Sequence, residues 1–166
     1  MNLNQKEYTE KELLLKLASF CAYQERSTFE VQQKLKELGA TSEISKQIII
    51  ELKELNYLDE ARFAMSFARG KHRIKNWGKI RIQTELQFKH RIQSHLIDLA
   101  LDALDENDAY KETLTQLAQN KFDKLESAQQ GFEKVVNFLY AKGYDLNEVL
   151  EVMNKIRNEK KISLKE

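Results

Sequence analysis

Residues 55–91 read LNYLDEARFAMSFARGKHRIKNWGKIRIQTELQFKHR, and the rest of the chain is best interpreted outward from this stretch. Its first part, Leu55 to Ala64, is typical of the junction between two helical units. Its second part, Arg69–Arg91, is called here the basic segment, because it holds eight Lys or Arg and one acid, Glu85. The whole chain has a formal charge of only +1. A positive patch on a nearly neutral protein predicts a polyanion, or an acidic protein surface, as its partner.

The composition predicts an all-helical chain. There are 166 residues with five glycines and no proline, and 42% are apolar and 32% charged. The single cysteine, Cys21, allows no internal disulfide and is expected to be a buried, inert thiol. No apolar run is long enough to span a bilayer or resembles a signal peptide. We therefore expect a cytoplasmic location without membrane contact.

Apolar residues recur at spacings of three and four, which predicts nine helices. Thr9 with Glu12, and Ser27 with Glu30, have the spacing of capping boxes at helix starts. Further starts are predicted at Thr41 or Ser42, Asp59, Trp77-Gly78, Asn107 or Asp108, and Asp145. The expected buried stripes include Leu55, Ile74 and Leu99. From Arg157 to Glu166 we expect a charged, frayed tail.

The middle helices of three successive groups share one apolar spacing. Aligned pairs, four residues apart, are Val31 and Leu35, Ile82 and Leu86, and Val135 and Leu139. The offsets between the groups are 51 and 53 residues, and a fixed period of this kind predicts a tandem helical array. We predict an all-α, elongated array of three tandem three-helix repeats, with bounds 9–56, 57–106 and 107–158, and a charged tail, 159–166.

A longer pattern surrounds these pairs. It consists of Ser27, Glu30, Val31, Lys34, Leu35 and Gly39, then Leu52, Leu55, Tyr57, Leu58, Asp59, Arg62, Phe63 and Ala64, then Gly78, Arg81, Ile82, Glu85 and Leu86. In this order it resembles the RecX family of bacterial regulators of the RecA recombinase, over residues 12–156. The second copy has His90 where a glycine usually ends the helix, so we expect that turn to be built differently.

The resemblance implies tandem three-helix repeats that have no catalytic activity and need no cofactor. It implies that such a protein binds RecA, lodges in the groove of the RecA–DNA filament, and limits strand exchange, ATP hydrolysis and filament growth. Nucleic acid, single- or double-stranded, is expected to bind weakly on its own. Because the sequence has no long exposed apolar stripe, we predict a monomer.

Contacts with the partner or with DNA are expected from the basic segment. The residues are Arg69, Lys71, Arg73, Lys75, Trp77, Lys79, Arg81, Lys89 and Arg91. No acid lies between Arg69 and Thr84, whereas a merely solvated helix face usually mixes both signs. Cations that only balance a helix dipole are the alternative interpretation. Trp77 could stack on a base or pack against the fifth helix, and packing is favoured.

Other motifs do not favour an enzyme. The sequence has no Gly-rich phosphate loop, and His72, His90 and His95 lack the spacing of a metal site. The carboxylates Asp98, Asp102 and Asp105 or Glu106 are interpreted as a solvated helix face. A structural role at the unit junction is predicted for Arg62, through a pair with Asp59.

Two other functions remain open. A three-helix unit can resemble a helix-turn-helix, so the chain could be a DNA-binding regulator with its fifth or sixth helix in the major groove. It could also be a structural adaptor that uses the array as a protein scaffold. Strong, sequence-dependent duplex binding favours the first, and binding that is independent of salt and DNA favours the second.

Overall fold

The fold is known from a computed structural model that describes residues 7–105, 109–125 and 128–163, without the side chains of 128–130 and 160–163. Within these ranges the regular structure is entirely helical, which confirms the predicted all-α helical repeat class. The helices are α1 (Glu10–Tyr23), α2 (Thr28–Glu37), α3 (Ser42–Glu54), α4 (Glu60–Lys75), α5 (Lys79–Thr84), α6 (Ser94–Asp102), α7 (Ala109–Phe122), α8 (Ala128–Ala141) and α9 (Leu146–Ser163). A π-helical turn, Glu85–Lys89, follows α5 directly.

Two predicted helix boundaries, near the C-terminus and before α7, can be compared with the structure. Because α9 continues to Ser163, the frayed tail predicted from Arg157 is wrong up to that residue. The start predicted at Asn107 or Asp108 lies outside the described residues. None of the described helices has the length and apolar character needed to cross a membrane.

Capping boxes begin α1 and α2, as the sequence predicts. The hydroxyl oxygen of Ser27 accepts a hydrogen bond from the Glu30 N–H at 3.1 Å, and the Glu30 carboxylate accepts one from the Ser27 N–H at 2.9 Å. Thr9 and Glu12 repeat this exchange at the surface. Ser27 differs from Thr9 because it is fully buried and lies 3.4 Å from Nδ1 of His90. The cap of α2 is therefore also part of the first unit's interior.

Replacing Ser27 by alanine is expected to lower the free energy of unfolding by about 2 kcal/mol, at the upper end of the range for lost caps. The change removes the cap and leaves the partly buried N–H of Glu30 without its acceptor. Thr9→Ala, which removes the same motif at the surface, is expected to cost about 0.5–1 kcal/mol. Urea unfolding of both variants tests this, and equal costs would show that the burial of Ser27 adds nothing.

The apolar positions that define the repeat are all buried. They are fully inaccessible to solvent in each of the three copies: Val31, Leu35, Ile82, Leu86, Val135 and Leu139. The shared spacing therefore corresponds to a shared inner face of α2, of α5 with the π-helical turn that follows it, and of α8.

The second copy ends its helix differently, as the sequence predicts. In the first copy Ala40 N–H donates to the Leu35 carbonyl after the left-handed Gly39, and in the third Tyr144 N–H donates to Leu139 after Gly143. In the second copy the donor to Leu86 is Ile92, one residue later. The π-helical turn supplies the extra residue. The left-handed position falls on Arg91, with φ of 58°, and not on His90.

Several of the expected core residues are exposed. Leu55 is 54% exposed, Ile74 67% and Leu99 55%, so the prediction that they are buried is wrong. Leu55 is the C-cap of α3 and precedes the left-handed Asn56, which turns the chain away from the core. On α6 the inner face is formed by Ile97, Ala100 and Leu101. In the last turn of α4 the buried side chain is that of His72.

The described residues group into two compact units. One is drawn from Met1–Ser66 and Leu86–Ile97, and the other from Phe67–Glu85 and Asp98–Glu166. The first unit has a core that includes Leu13, Leu17, Leu35, Ile48 and Leu52. In the second unit the fully buried side chains include Leu114, Leu139, Tyr144 and Met153. The division into three repeats at the predicted bounds remains a prediction.

Candidate partner-binding surface

Two cationic side chains at the end of α4 are exposed and make no polar or ring contact with the described residues. Arg73 and Lys75 lie in its last turn, and their charged groups have no hydrogen bond, ion pair or ring contact with any described residue. Their neighbour Arg69, one or two turns earlier, is also exposed but has an interaction within the protein. Arg73 and Lys75 are called here the free pair. Their guanidinium and ammonium groups can bind an anion without first leaving a contact with another described residue.

A tight turn joins α4 to α5 and carries Trp77. Asn76 has φ of 53°, a left-handed conformation that asparagine tolerates better than most residues. The turn is closed by hydrogen bonds from Asn76 N–H to the His72 carbonyl and from Trp77 N–H to the Lys71 carbonyl. Nδ1 of His72 donates to the Trp77 carbonyl at 3.0 Å. The backbone on both sides of Trp77 is therefore fixed.

Two cations lie over the ring of Trp77. The Arg81 guanidinium is 4.3 Å from the ring centroid and the Lys71 ammonium 5.2 Å. Lys71 also lies 5.0 Å from the ring of Phe67. The indole is half-buried and holds two of the cations in place by cation–π attraction. This geometry supports the packing interpretation of Trp77 over base stacking.

The first N–H groups of α5 already have acceptors. Gly78 N–H donates to the Lys142 carbonyl at 2.9 Å, and Ile80 N–H to the Gly143 carbonyl at 3.0 Å. Lys79 N–H donates to the hydroxyl of Tyr110 at 3.1 Å. A helix N-terminus binds phosphate through such groups when they are free. Phosphate contacts of the basic segment must therefore come from its side chains.

Lys79 and Arg81 are more restrained than the free pair. Lys79 forms a salt bridge with Asp105, lies 4.9 Å from the ring of Tyr110, and its side chain is only 25% exposed. Arg81 donates weakly, at 3.5 Å, to the Ala141 carbonyl in addition to its contact with Trp77. These two residues fix the local structure of the surface, and less of their charge is available to a partner.

The last two predicted site residues belong to the first unit. Lys89 and Arg91 are exposed, and the Arg91 guanidinium lies 4.5 Å from the ring of Phe29. Lys89 has an interaction of its own. The second unit thus contains the predicted residues Arg69, Lys71, Arg73, Lys75, Trp77, Lys79 and Arg81.

Arg62 closes the junction between α3 and α4. Its Nε donates to Glu25 at 2.9 Å, while Nη1 and Nη2 donate to the side chain and carbonyl of Asn56 at 2.6 and 3.0 Å. The Glu25 carboxylate raises the pKa of Arg62 through this hydrogen bond. The predicted pair with Asp59 is present at 3.9 Å. Arg62 therefore has the structural role that the sequence favoured.

Sequence reasoning missed Lys142 as part of this surface. Its ammonium donates to the Lys75 carbonyl at 2.9 Å, although the two residues are 67 positions apart. No local signal identifies such a contact. The left-handed Asn76, by contrast, could have been found, since an asparagine directly after a helix is a common terminator.

Beneath the basic segment lies a cluster of buried aromatic rings. His72 and Tyr110 have centroids 5.0 Å apart, and Tyr110 and Tyr144 5.4 Å. The hydroxyl of Tyr144 and Nε2 of His72 are buried without a hydrogen-bond partner among the described residues. Burial raises the pKa of both tyrosines, and the carboxylate of Glu148 adds to the effect.

Tyr144→Phe is expected to raise the free energy of unfolding at neutral pH by about 1 kcal/mol. The variant keeps the ring packing and removes a buried hydroxyl that has no hydrogen-bond partner in the described part of the chain. Tyr110→Phe is the matched control, because the Tyr110 hydroxyl accepts the Lys79 N–H, and its loss is expected to be destabilising. Urea unfolding separates the two, and a loss of stability in Tyr144→Phe would contradict the assignment.

The same tyrosines predict sensitivity to alkali. Tyrosines in the unfolded chain ionise near pH 10, while the buried pair stays protonated because its pKa is raised. The folded state then binds more protons, so the contribution of the two tyrosines to stability is constant below about pH 10 and falls as the pH rises above it. The fall is expected to be shallower in Tyr144→Phe, which retains only one of the two raised groups.

The fold and the basic surface together define the class of protein to which this chain belongs. Short helices packed in a repeated pattern, with a cationic segment held by a tryptophan and a free pair beside it, make an all-α helical-repeat protein with a basic surface. Residues 59–101, which include the whole of the basic segment, match the family model described as RecX, second three-helix domain.

The chain belongs to the RecX family of regulatory proteins. It is 31% identical over 122 residues to the regulatory protein RecX of Vibrio campbellii, which covers 73% of this chain and 76% of that protein. It is 27% identical over 135 residues to the RecX protein of Clostridium acetobutylicum, covering 78% of this chain and 62% of that one. In the Clostridium acetobutylicum protein and three further curated relatives, the region that matches this chain spans only 52–62% of the relative's own length.

A solved structure has the same fold. The crystal structure of RecX from Lactobacillus salivarius superposes with a TM-score of 0.80 at 20% sequence identity, covering 89% of this chain and 96% of that one. The similarity extends the match beyond the second three-helix domain to most of the described helices.

Proposed function

We propose that this protein regulates a RecA recombinase by binding the filament that RecA forms on DNA, and that it limits strand exchange, ATP hydrolysis and filament growth. Membership of the RecX family supports the choice of partner. The residue pattern that carries the resemblance includes Asp59, Arg62 and Phe63 at the start of α4, and α4 also carries the free pair.

One observation carries the proposal most: the exposed free pair lies beside cations that are fixed on Trp77. A partner that contains DNA presents closely spaced phosphates, and Arg73 and Lys75 can reach them without breaking internal contacts. Lys71 and Arg81, held over the indole ring, add positive potential at low entropic cost. A filament groove, in which phosphates and protein surface lie together, suits this arrangement.

The helix-turn-helix alternative receives little support from α6. Its exposed positions include the carboxylates of Asp98 and Asp102, which would face the phosphates of a duplex. Asp105, just beyond the helix, is paired with Lys79. The solvated acidic face that the sequence predicts is therefore compatible with α6 facing away from DNA, not with a recognition helix in a major groove.

Binding of a fluorescently labelled sample of the protein to three targets tests the proposal. The targets are RecA filaments on single-stranded DNA, the same DNA alone, and RecA alone without nucleotide. The proposal predicts the tightest binding to the filament. Equal binding to bare DNA would favour a DNA-binding regulator. In a separate titration with duplex DNA, sequence-dependent binding without RecA would favour the helix-turn-helix function.

A further inference from the structure

A shallow groove on the second unit lies between α5 and the end of α8. Its volume is about 380 Å³, and it is lined by Ile80, Arg81, Thr84, Glu85, Tyr140, Ala141 and Gly143. Arg81 is the one cation of the basic segment among the lining residues. Neither the sequence patterns nor the proposed function assigns a role to the groove's exposed side chains Ile80 and Tyr140.

The groove is built on a close backbone contact. A Cβ atom placed on Gly143 would lie 2.4 Å from Cβ of Arg81 and 2.6 Å from its backbone nitrogen. The Ile80 N–H donates to the Gly143 carbonyl at 3.0 Å. Arg81 is held between the Trp77 ring and the Ala141 carbonyl. The floor and the cationic rim are thus fixed before any partner arrives, so little ordering entropy opposes binding.

Two large apolar side chains flank the groove and are exposed. Tyr140 is 60% exposed and Ile80 44%. The ring of Tyr140 has no contact with another described ring or cation. Tyrosine and arginine are the residues most enriched at the energetic centres of protein interfaces, where a tyrosine supplies apolar area at low entropic cost.

We propose that this groove is a docking site for a protein segment of the recombinase partner in which an apolar side chain is followed closely by a carboxylate. The apolar side chain lies against Tyr140 and Ile80, and the carboxylate binds the remaining N–H groups of Arg81. Arginine has five N–H donors, and here one of them, on Nη1 of Arg81, donates to the Ala141 carbonyl within the protein. The others remain for a partner. The inference rests on the proposed function and names a second contact, separate from the free pair.

The lining favours protein over nucleic acid as the occupant. A groove that follows a nucleic-acid backbone carries a series of cations. This groove holds one arginine together with the carboxylate of Glu85, and the aliphatic side chain of Ile80 forms part of its wall. The single arginine can bind one carboxylate, whereas a run of phosphates needs a series of cations.

Tyr140→Ala tests the inference, with binding measured to RecA filaments on single-stranded DNA and to the same DNA alone. The variant is expected to weaken filament binding about tenfold or more, as at a hot spot, and to leave DNA binding unchanged within about twofold. Tyr140→Phe should retain filament binding, since the ring supplies the contact. Tyr23→Ala, which removes an 84% exposed tyrosine from the first unit, is the matched control.

The other outcomes each overturn the inference. Equal weakening on filament and on DNA would mean that Tyr140 stacks on a nucleobase. Unchanged filament binding by a Tyr140→Ala variant with wild-type circular dichroism and melting temperature would mean that the groove is not a docking site. If the wild-type protein itself binds filaments no better than DNA, the result contradicts the proposed function. It then also contradicts the proposal that a segment of the recombinase binds in this groove.

Discussion

Replacing Gly78 by alanine is expected to destabilise the protein by about 3 kcal/mol or more. A Cβ atom at this position would lie 2.3 Å from the carbonyl carbon and oxygen of Gly143 and from the nitrogen of Tyr144. These are backbone atoms of the turn that accepts the hydrogen bonds of α5, so they cannot rotate away as a side chain can. The clash would separate α5 from that turn.

The control for this prediction lies in the same unit. Gly70 is within α4, and a Cβ atom there would meet nothing within 4 Å. Gly70→Ala is expected to stabilise the protein by about 0.5–1 kcal/mol, because alanine favours a helix interior over glycine. Urea unfolding of both variants is the measurement. A Gly78→Ala variant that is as stable as Gly70→Ala would mean that the two backbones do not meet in this way.

Substituting the free pair, as Arg73→Ala with Lys75→Ala, is expected to weaken binding to single-stranded DNA most strongly at low salt. Each phosphate contact contributes about 0.7 to the slope of log affinity against log salt concentration. Loss of two contacts should make the slope shallower by about 1.4. The advantage of the wild-type protein should therefore shrink by about sevenfold between about 50 and about 200 mM salt.

A charge-matched variant separates this effect from a general loss of positive charge. Lys46→Ala with Lys53→Ala removes two exposed lysines from α3 of the first unit. Its affinity is expected to fall by less than about threefold, with a nearly unchanged slope, since only long-range attraction is lost. If both double variants changed the slope equally, the free pair would have no special place in binding.

The repeated core could be predicted from the sequence because it depends on spacing within single helices. Val31 and Leu35, and their equivalents in α5 and α8, face inward wherever such a helix packs. The capping boxes at Thr9 and Ser27 are local in the same sense. His90 signalled an altered turn, but the π-helical turn and the left-handed Arg91 involve backbone choices that no single residue type dictates.

The candidate surface could be predicted only in part. Charge counting located the basic segment, but it did not distinguish the free Arg73 from Lys79, which is held by Asp105. That difference arises from residues distant in the sequence. The groove at Tyr140 and the contact of Lys142 were missed for the same reason. Likewise, Leu55 and Leu99 are apolar at helical spacing, yet no other element covers them.

The central claim is that this protein limits the activity of a RecA filament, and the most direct test is ATP hydrolysis by RecA on single-stranded DNA, titrated with the protein at low and high salt. We expect inhibition at well below one protein per recombinase at low salt, and weaker inhibition by the Arg73→Ala, Lys75→Ala variant. Unchanged hydrolysis at a molar excess of folded protein would contradict the claim.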